Sequence, residues 1–240
     1  MNVFIYDAIT EKYKRKTRRF EEKINNLGLQ GKIIYLQSIK NYKEAVEQEI
    51  RNGAKTIIIL GNNQTVNNII NILANISENI PVFIVPIGEN NSIAESMGIK
   101  NEKEAAFILS ARRMENIKIA KANHLFFINN CQINSKLSEI KIDNSYKVFS
   151  LKETTYKIIN LVDKEVYSKD IKTSPQDNKL ELIIKNKWKD MSLFPITKEV
   201  EIKSKEERVL LDDSIKIETP VNISISEKVI PFIVGKERFF

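Results

Sequence analysis

An α/β half followed by an antiparallel β half is the fold class that this 240-residue sequence predicts. Two textures predict it. From residue 1 to about 112, short β-branched and aromatic runs alternate with segments spaced for helices. From about residue 117 onward, β-branched stretches follow one another with only turn-like clusters between them. Apolar strands alternating with helices imply a parallel sheet covered on both faces. Many closely spaced short strands imply an antiparallel sandwich or barrel. The division expected is therefore 1–116 as a Rossmann-like α/β domain and 117–240 as an antiparallel β-sandwich domain.

The elements follow in order. Strands are expected at Val3–Tyr6, Lys32–Leu36, Thr56–Leu60 and Val82–Val85. The first helix buries Tyr13, Phe20, Ile24 and Leu27, with Thr10 as its cap and Gly28 just past its end. The second opens on Asn41, with Glu44 three residues on, buries Ala45, Val46 and Ile50, and stops at Gly53. A third runs from about Thr65 to Ala74. In the second half, strands are expected at Ile117–Ala120, His124–Ile128, Lys147–Leu151, Leu180–Ile184, Val200–Ile202, Val209–Leu211, Ile215–Ile217, Val221–Ile225 and Val229–Val234. A turn is expected at Thr173–Asn178 and a short helix around Thr154–Val162.

Bulk properties exclude several classes. Apolar runs such as Ile57–Leu60 fall far short of the roughly 20 residues that a membrane-spanning helix needs. With Cys131 as the single cysteine, no internal disulfide forms, which fits a reducing cytoplasm. Cys131 has no histidine or second cysteine beside it, so zinc and thiol chemistry lack support. His124 reads as a structural histidine within an apolar strand, and Trp188 as a core or groove residue. The net charge of +7 permits anionic partners without selecting one. The sharpest basic cluster, Lys12, Lys14, Arg15, Lys16, Arg18 and Arg19, reads first as the solvated face of a helix. Nucleic-acid or anionic-membrane binding by that helix is the lesser reading.

In an open α/β sheet, ligands sit at the carboxyl ends of the strands. Two junctions lie there: Leu60-Gly61-Asn62-Asn63-Gln64-Thr65 and Pro86-Ile87-Gly88-Glu89-Asn90-Asn91-Ser92-Ile93-Ala94. Their order, spacing and strand-to-helix context resemble the two signature loops of the diacylglycerol kinase and sphingosine kinase-like lipid kinases, which share their fold with NAD kinases. That family carries Gly-Gly-Asp-Gly-Thr in the first loop and Pro-Leu-Gly-Thr-Gly-Asn in the second. Gly61 and Thr65 match the first; Pro86, Gly88, Asn91 and Ala94 match the second. Leu210-Leu211-Asp212-Asp213-Ser214 stands where the family has a late Asp-Gly-Glu.

The resemblance implies phosphoryl transfer from ATP with Mg²⁺ to a lipid hydroxyl, in the cytoplasm or peripherally at an anionic membrane surface. It implies nucleotide contacts at Gly61, Asn62, Asn63, Gln64, Thr65, Gly88 and Asn91, and a catalytic carboxylate at Asp212. The same Asp212-Asp213-Ser214 also reads as a plain turn between two strands. The last strands allow pairing with a second copy.

The departures point the other way. Asn62, Asn63 and Gln64 replace glycine, aspartate and glycine, so a loop that would bring backbone N–H groups to a phosphate has gained side chains. A neutral amide at Asn63 cannot take a proton from a hydroxyl, nor offer Mg²⁺ a charged oxygen. Glu89 replaces threonine and sets a negative charge beside the expected phosphates. Tyr6-Asp7-Ala8-Ile9-Thr10 occupies the place of the family's N-terminal Asn-Pro…Ser-Gly loop. A catalytically dead member of the same fold, acting as a ligand-binding or protein-interaction module, is therefore the alternative to a lipid kinase.

Overall fold

The structure is a computed structural model that describes all residues except 151–152, 168–172, 175, 187–190 and 205–206. Trp188, Pro175 of the expected turn and Leu151 of an expected strand lie outside the described residues. The chain forms two compact units: Met1–Ile117 with Val229–Phe239, and Lys118–Lys228.

The first unit opens with β1 (Asn2–Tyr6), α1 (Ile9–Lys12) and α2 (Lys14–Asn26), followed by β2 (Gly31–Tyr35), α3 (Tyr42–Arg51), β3 (Thr56–Gly61) and α4 (Asn63–Leu73). It continues with β4 (Val82–Pro86), α5 (Ser92–Ser96) and α6 (Glu102–Ala111). The strands pair in parallel in the order β2-β1-β3-β4. Ile57–Leu60 and Val82–Val85 are wholly buried, as runs of apolar residues in a sheet covered on both faces must be. The edge strand β2 departs from that expectation. Only Ile34 is buried there, while Ile33 and Tyr35 stay exposed.

Local chemistry sets the helix ends. The single first helix expected from the sequence breaks at Tyr13, whose φ and ψ of −111° and 38° are not helical. Thr10 is not its cap. It lies inside α1, while the Asp7 carboxylate accepts from the Ile9 N–H (2.9 Å) and so takes the capping role itself. Helix α2 ends as expected. Gly28 sits at φ +66°, and the Leu29 N–H reaches back to the Ile24 carbonyl (2.9 Å), the Schellman closure. Asn41 caps α3 through Glu44, also as the sequence predicts.

The second unit is all but entirely β. Its strands are β5 (Met114–Ala122, begun in the first unit), β6 (Leu125–Phe127), β7 (Asn130–Ser135), β8 (Ser138–Ile142), β9 (Tyr146–Ser150) and β10 (Thr154–Ile159). After α7 (Lys164–Tyr167) come β11 (Leu180–Asn186), β12 (Met191–Ile196), β13 (Glu199–Ser204), β14 (Arg208–Leu211), β15 (Ile215–Glu218) and β16 (Val221–Ile233). One antiparallel sheet runs β12-β11-β10-β7-β14-β15; the other sets β16, β13, β8 and β9 side by side. Ile140, Ile142, Val200, Ile202, Val221 and Ile223 from one sheet share a core with Ile133, Tyr156, Ile158, Leu182, Val209 and Leu211 from the other. That is a two-layer sandwich.

Three expectations are corrected here. The short helix around Thr154–Val162 is strand β10, paired on both sides with β7 and β11, its alternate residues Thr154, Tyr156 and Ile158 buried. Ladder pairing has overridden a weak helical pattern. The separate strands at Val221–Ile225 and Val229–Val234 are one strand, β16, whose last part pairs in parallel with β4 at Phe232 and Val82. His124 is not inside a strand; it is exposed in the turn between β5 and β6. Among the described residues no helix is long and apolar enough to cross a membrane.

Candidate functional site

The site is built where β1, β3 and β4 end. Helix α4 starts at Asn63, with Asn62 alone between it and the end of β3 at Gly61, so no open loop separates strand from helix. Asn62 is the cap. Its Oδ1 accepts from the N–H groups of Gln64 (3.1 Å) and Thr65 (3.3 Å). The Asn63 N–H donates instead to the Asn90 carbonyl (2.9 Å). Every N–H of the first turn thus has an acceptor within the chain. The positive end of the helix is neutralised by its own cap rather than left open to an anion.

The remaining side chains tie the two loops together. Asn63 is 1% exposed; its Nδ2 donates to Ser92 Oγ (2.8 Å) and its Oδ1 accepts from the Ile93 N–H (3.2 Å). The Thr65 hydroxyl donates to Asp7 Oδ2 (2.9 Å). Asp7 and Ser92 are participants that the sequence reading passed over. Asp7 stands in the place of the family's N-terminal Asn-Pro…Ser-Gly loop, and a small polar side chain just past an apolar strand is the signal that could have marked it as a cap.

The glycines that remain have packing reasons. A Cβ on Gly61 would lie 2.4 Å from Thr65 Oγ1 and 2.6 Å from Thr65 Cβ. Gly61 and Thr65 are retained together because one fits against the other. Gly88 has φ +89°, and a Cβ there would meet Ile9 Cδ1 at 2.3 Å. Asn90, with φ +59°, supplies the left-handed turn that the family gives to glycine, a conformation asparagine tolerates. Asn91 donates to the Gly88 carbonyl (3.0 Å), while its Oδ1 is buried without a partner. Glu89 is exposed in the same loop.

These residues do not fit ATP and Mg²⁺ as arranged. The helix N–H groups are engaged, the orphaned Asn91 oxygen is an acceptor that no phosphate oxygen can satisfy, and Asn63 is neutral and already pinned. No cluster of three or more metal-ligating residues occurs among the described residues.

Asp212 belongs to the second unit. It is fully buried, and its carboxylate accepts from the N–H groups of Ile128 (2.7 Å), Asn129 (2.7 Å) and Asn130 (2.9 Å). With Asp213 it forms the β14–β15 turn, both residues at positive φ (45° and 56°), closed by the Ser214 N–H on the Leu211 carbonyl (2.9 Å). This is a type I′ turn. The unit builds the same device at β8–β9. There Asp143 and Asn144 have φ of 49° and 57°, and the Asp143 carboxylate accepts from the N–H groups of Thr197, Lys198 and Glu199 (3.0, 2.8 and 3.0 Å). Burial opposes ionisation of both carboxylates. At the more open Asp143 the bonds from Thr197, Lys198 and Glu199 prevail and hold the carboxyl below its ordinary range. At Asp212 burial prevails and pushes the carboxyl up to about 6. Burial, and then the Asp212 charge, likewise push the Cys131 thiol up, leaving it neutral and enclosed.

The turn yields a prediction. Asp213→Gly relieves a left-handed side-chain residue and is expected to stabilise the protein by about 1 kcal/mol. A thermal melt of the variant tests it; an unchanged or lowered midpoint would mean that Asp213 makes compensating contacts.

Residues 3–122, half of the chain, match the family model of the diacylglycerol kinase catalytic domain. The chain belongs to that family. Solved structures agree on the fold of this family member. A diacylglycerol kinase from Bacillus anthracis str. Sterne superposes with a TM-score of 0.77 at 17% identity, covering 98% of this chain and 97% of that one. An NAD kinase from Archaeoglobus fulgidus, solved in complex with ATP, superposes with a TM-score of 0.62 at 12% identity, covering 100% and 96%. A search of the curated proteins finds no match. Within the diacylglycerol kinase family, then, this chain keeps the scaffold while its first signature loop is wound into helix.

Proposed function

We propose that this chain is a non-catalytic member of the diacylglycerol kinase family, a ligand-binding or protein-interaction module in which the phosphate cradle is filled by the protein's own side chains. One observation carries the reading: each N–H of the first turn of α4 already donates to Asn62 or Asn90. Phosphoryl transfer depends almost wholly on positioned phosphates and electrostatic stabilisation. A nucleotide entering here must first unwind a capped helix start, which costs about 1 kcal/mol for the cap alone, and it then meets Glu89.

Titration of Mg·ATP and Mg·ADP by calorimetry, with and without a short-chain diacylglycerol, tests the proposal. The expected result is no heat of binding at millimolar nucleotide; micromolar binding would show the cradle to be open, and phosphorylated lipid formed from that nucleotide would overturn the non-catalytic reading. Asn63→Asp is expected to leave lipid phosphorylation undetectable in a radiolabelled-ATP assay. One carboxylate oxygen would accept from the Ile93 N–H as the amide oxygen does, and the other, in place of the amide nitrogen that donates to Ser92 Oγ, would take the Ser92 hydroxyl once it turns, so neither is left for a metal. Turnover in that single variant would mean the lost aspartate alone silences the enzyme.

A second reading, a slow lipid kinase, rests on Asp212 through the family resemblance; against it, that carboxylate is fully buried and held by three backbone N–H groups. On that reading Asp212→Asn abolishes whatever turnover is measured, and the nucleotide contacts are Gly61–Thr65, Gly88 and Asn91 after rearrangement of the loops.

A further inference from the structure

A cavity of about 440 Å³ lies in the first unit beneath α2, lined by Phe4, Tyr6, Glu21, Ile24, Leu29 and Ile33 together with Asn25, Gln30 and Gly31. Its size is within the range of small-molecule sites, about 300–1,000 Å³. It shares no residue with the Asp7–Thr65–Asn62–Ser92 network.

Two of its polar groups are unusual. Tyr6 is 2% exposed, yet its hydroxyl is buried without an acceptor or donor in bonding geometry. Burial, then the charge of nearby Glu21 and a hydrogen-bonding approach of the phenol to that carboxylate, push the phenol's ionisation well up, so Tyr6 stays a neutral hydroxyl with its oxygen turned to the same space as Glu21. Glu21 is half-buried and makes no ion pair among the described residues, although the helix that carries it is strongly basic. The neighbouring cations are engaged elsewhere. Arg18 pairs with Glu22, Arg19 with Glu102 and Lys32 with Glu49, while Lys23 donates to the Lys103 carbonyl.

We propose that this cavity binds a small organic cation, an amidinium or primary ammonium on a flat apolar body, with Glu21 as counter-ion and Tyr6 as the second polar contact. The carboxylate takes the charged N–H groups, the Tyr6 oxygen accepts one more, and Phe4, Ile24 and Ile33 receive the apolar body. A buried phenol oxygen that accepts no hydrogen bond costs stability. A ligand N–H removes that cost as well as satisfying Glu21. Arg18, Arg19, Lys23 and Lys32 each have another partner.

The probe is benzamidinium, titrated into the ¹⁵N-labelled 240-residue chain and followed by chemical-shift changes, with benzyl alcohol and benzoate as the neutral and anionic comparisons. Saturable shifts at Tyr6, Gln30 and Gly31, with benzoate causing none, are expected. Glu21→Gln removes the charge from a half-exposed position and is expected to weaken binding roughly tenfold or more. Tyr6→Phe is expected to weaken it by a smaller factor. Should Tyr6→Phe fail to fold, Glu21→Gln alone decides. Absence of saturation, equal binding of benzoate, or unchanged affinity in Glu21→Gln would overturn the proposal. All of these readouts stand apart from nucleotide binding, so failure here and failure of the non-catalytic reading are separable.

Discussion

Replacing Asp212 with asparagine is expected to lower stability by about 3 kcal/mol at neutral pH, because a carboxylate serving three buried N–H groups is replaced by an amide that presents hydrogens to one of them. The pH dependence carries more information than the size. The carboxyl has an ordinary value of 3.8 and is pushed up to about 6 by burial. Below the lower value both folded and unfolded chains hold the proton. As pH rises, the unfolded chain releases it first, so the contribution to stability falls until the folded group also ionises near the upper value, and is level beyond it. The swing is at most about 3 kcal/mol at 1.36 kcal/mol for each pH unit. Urea midpoints of the native protein and of Asp212→Asn, compared from pH 4 to 7, measure it. The gap between the two should widen toward pH 4. A gap that narrows there would mean the three N–H groups, not burial, control the carboxyl.

The second large effect is expected at Gly61. Alanine there places a methyl 2.4–2.8 Å from the Oγ1, Cβ and Cγ2 atoms of Thr65. Thr65 cannot step aside without breaking its bond to Asp7 and distorting the first turn of α4. Overpacking of this kind costs about 1–3 kcal/mol, and the upper end is expected because the clash includes a Cβ fixed to helical backbone. Chemical denaturation of Gly61→Ala measures it. A loss under about 0.5 kcal/mol, within the range of ordinary surface substitutions, would mean that the glycine is a relic of nucleotide approach rather than a packing requirement.

The alternation of apolar strands with helices was legible because buried parallel strands need unbroken runs such as Ile57–Leu60. The sandwich was legible from its turns and alternation. The boundaries of α4 were not. Gly61-Asn62-Asn63-Gln64-Thr65 was read as a loop by its likeness to a glycine-rich motif, yet asparagine is among the best helix caps, and Asn62 followed by three side-chain-bearing residues is ordinary helix-start chemistry. The motif's ancestry and its local physics disagreed, and the local physics prevailed. Strand β10 was misread because its pairing with β7 and β11 is a property of distant sequence. Strands β7 and β8 were passed over because their polar residues, Asn130, Asn134, Ser135 and Ser138, hide a period that only the buried Cys131, Ile133 and Ile140 reveal. The tie between Asn63 and Ser92 spans 29 residues and has no sequence signature.

The return of β16 to the first unit has a consequence for biosynthesis. Residues 1–117 leave the ribosome long before 229–239, and in the finished unit the last stretch of β16 runs beside β4. Until it arrives, Val82–Pro86 is an unfilled edge of an apolar parallel sheet, the kind of surface that recruits wrong partners. The nascent α/β half therefore waits, open on one side, while the whole sandwich is translated. Ribosome-stalled chains cut short of residue 229 should be substrates for chaperones, and release of the final strand should end that dependence.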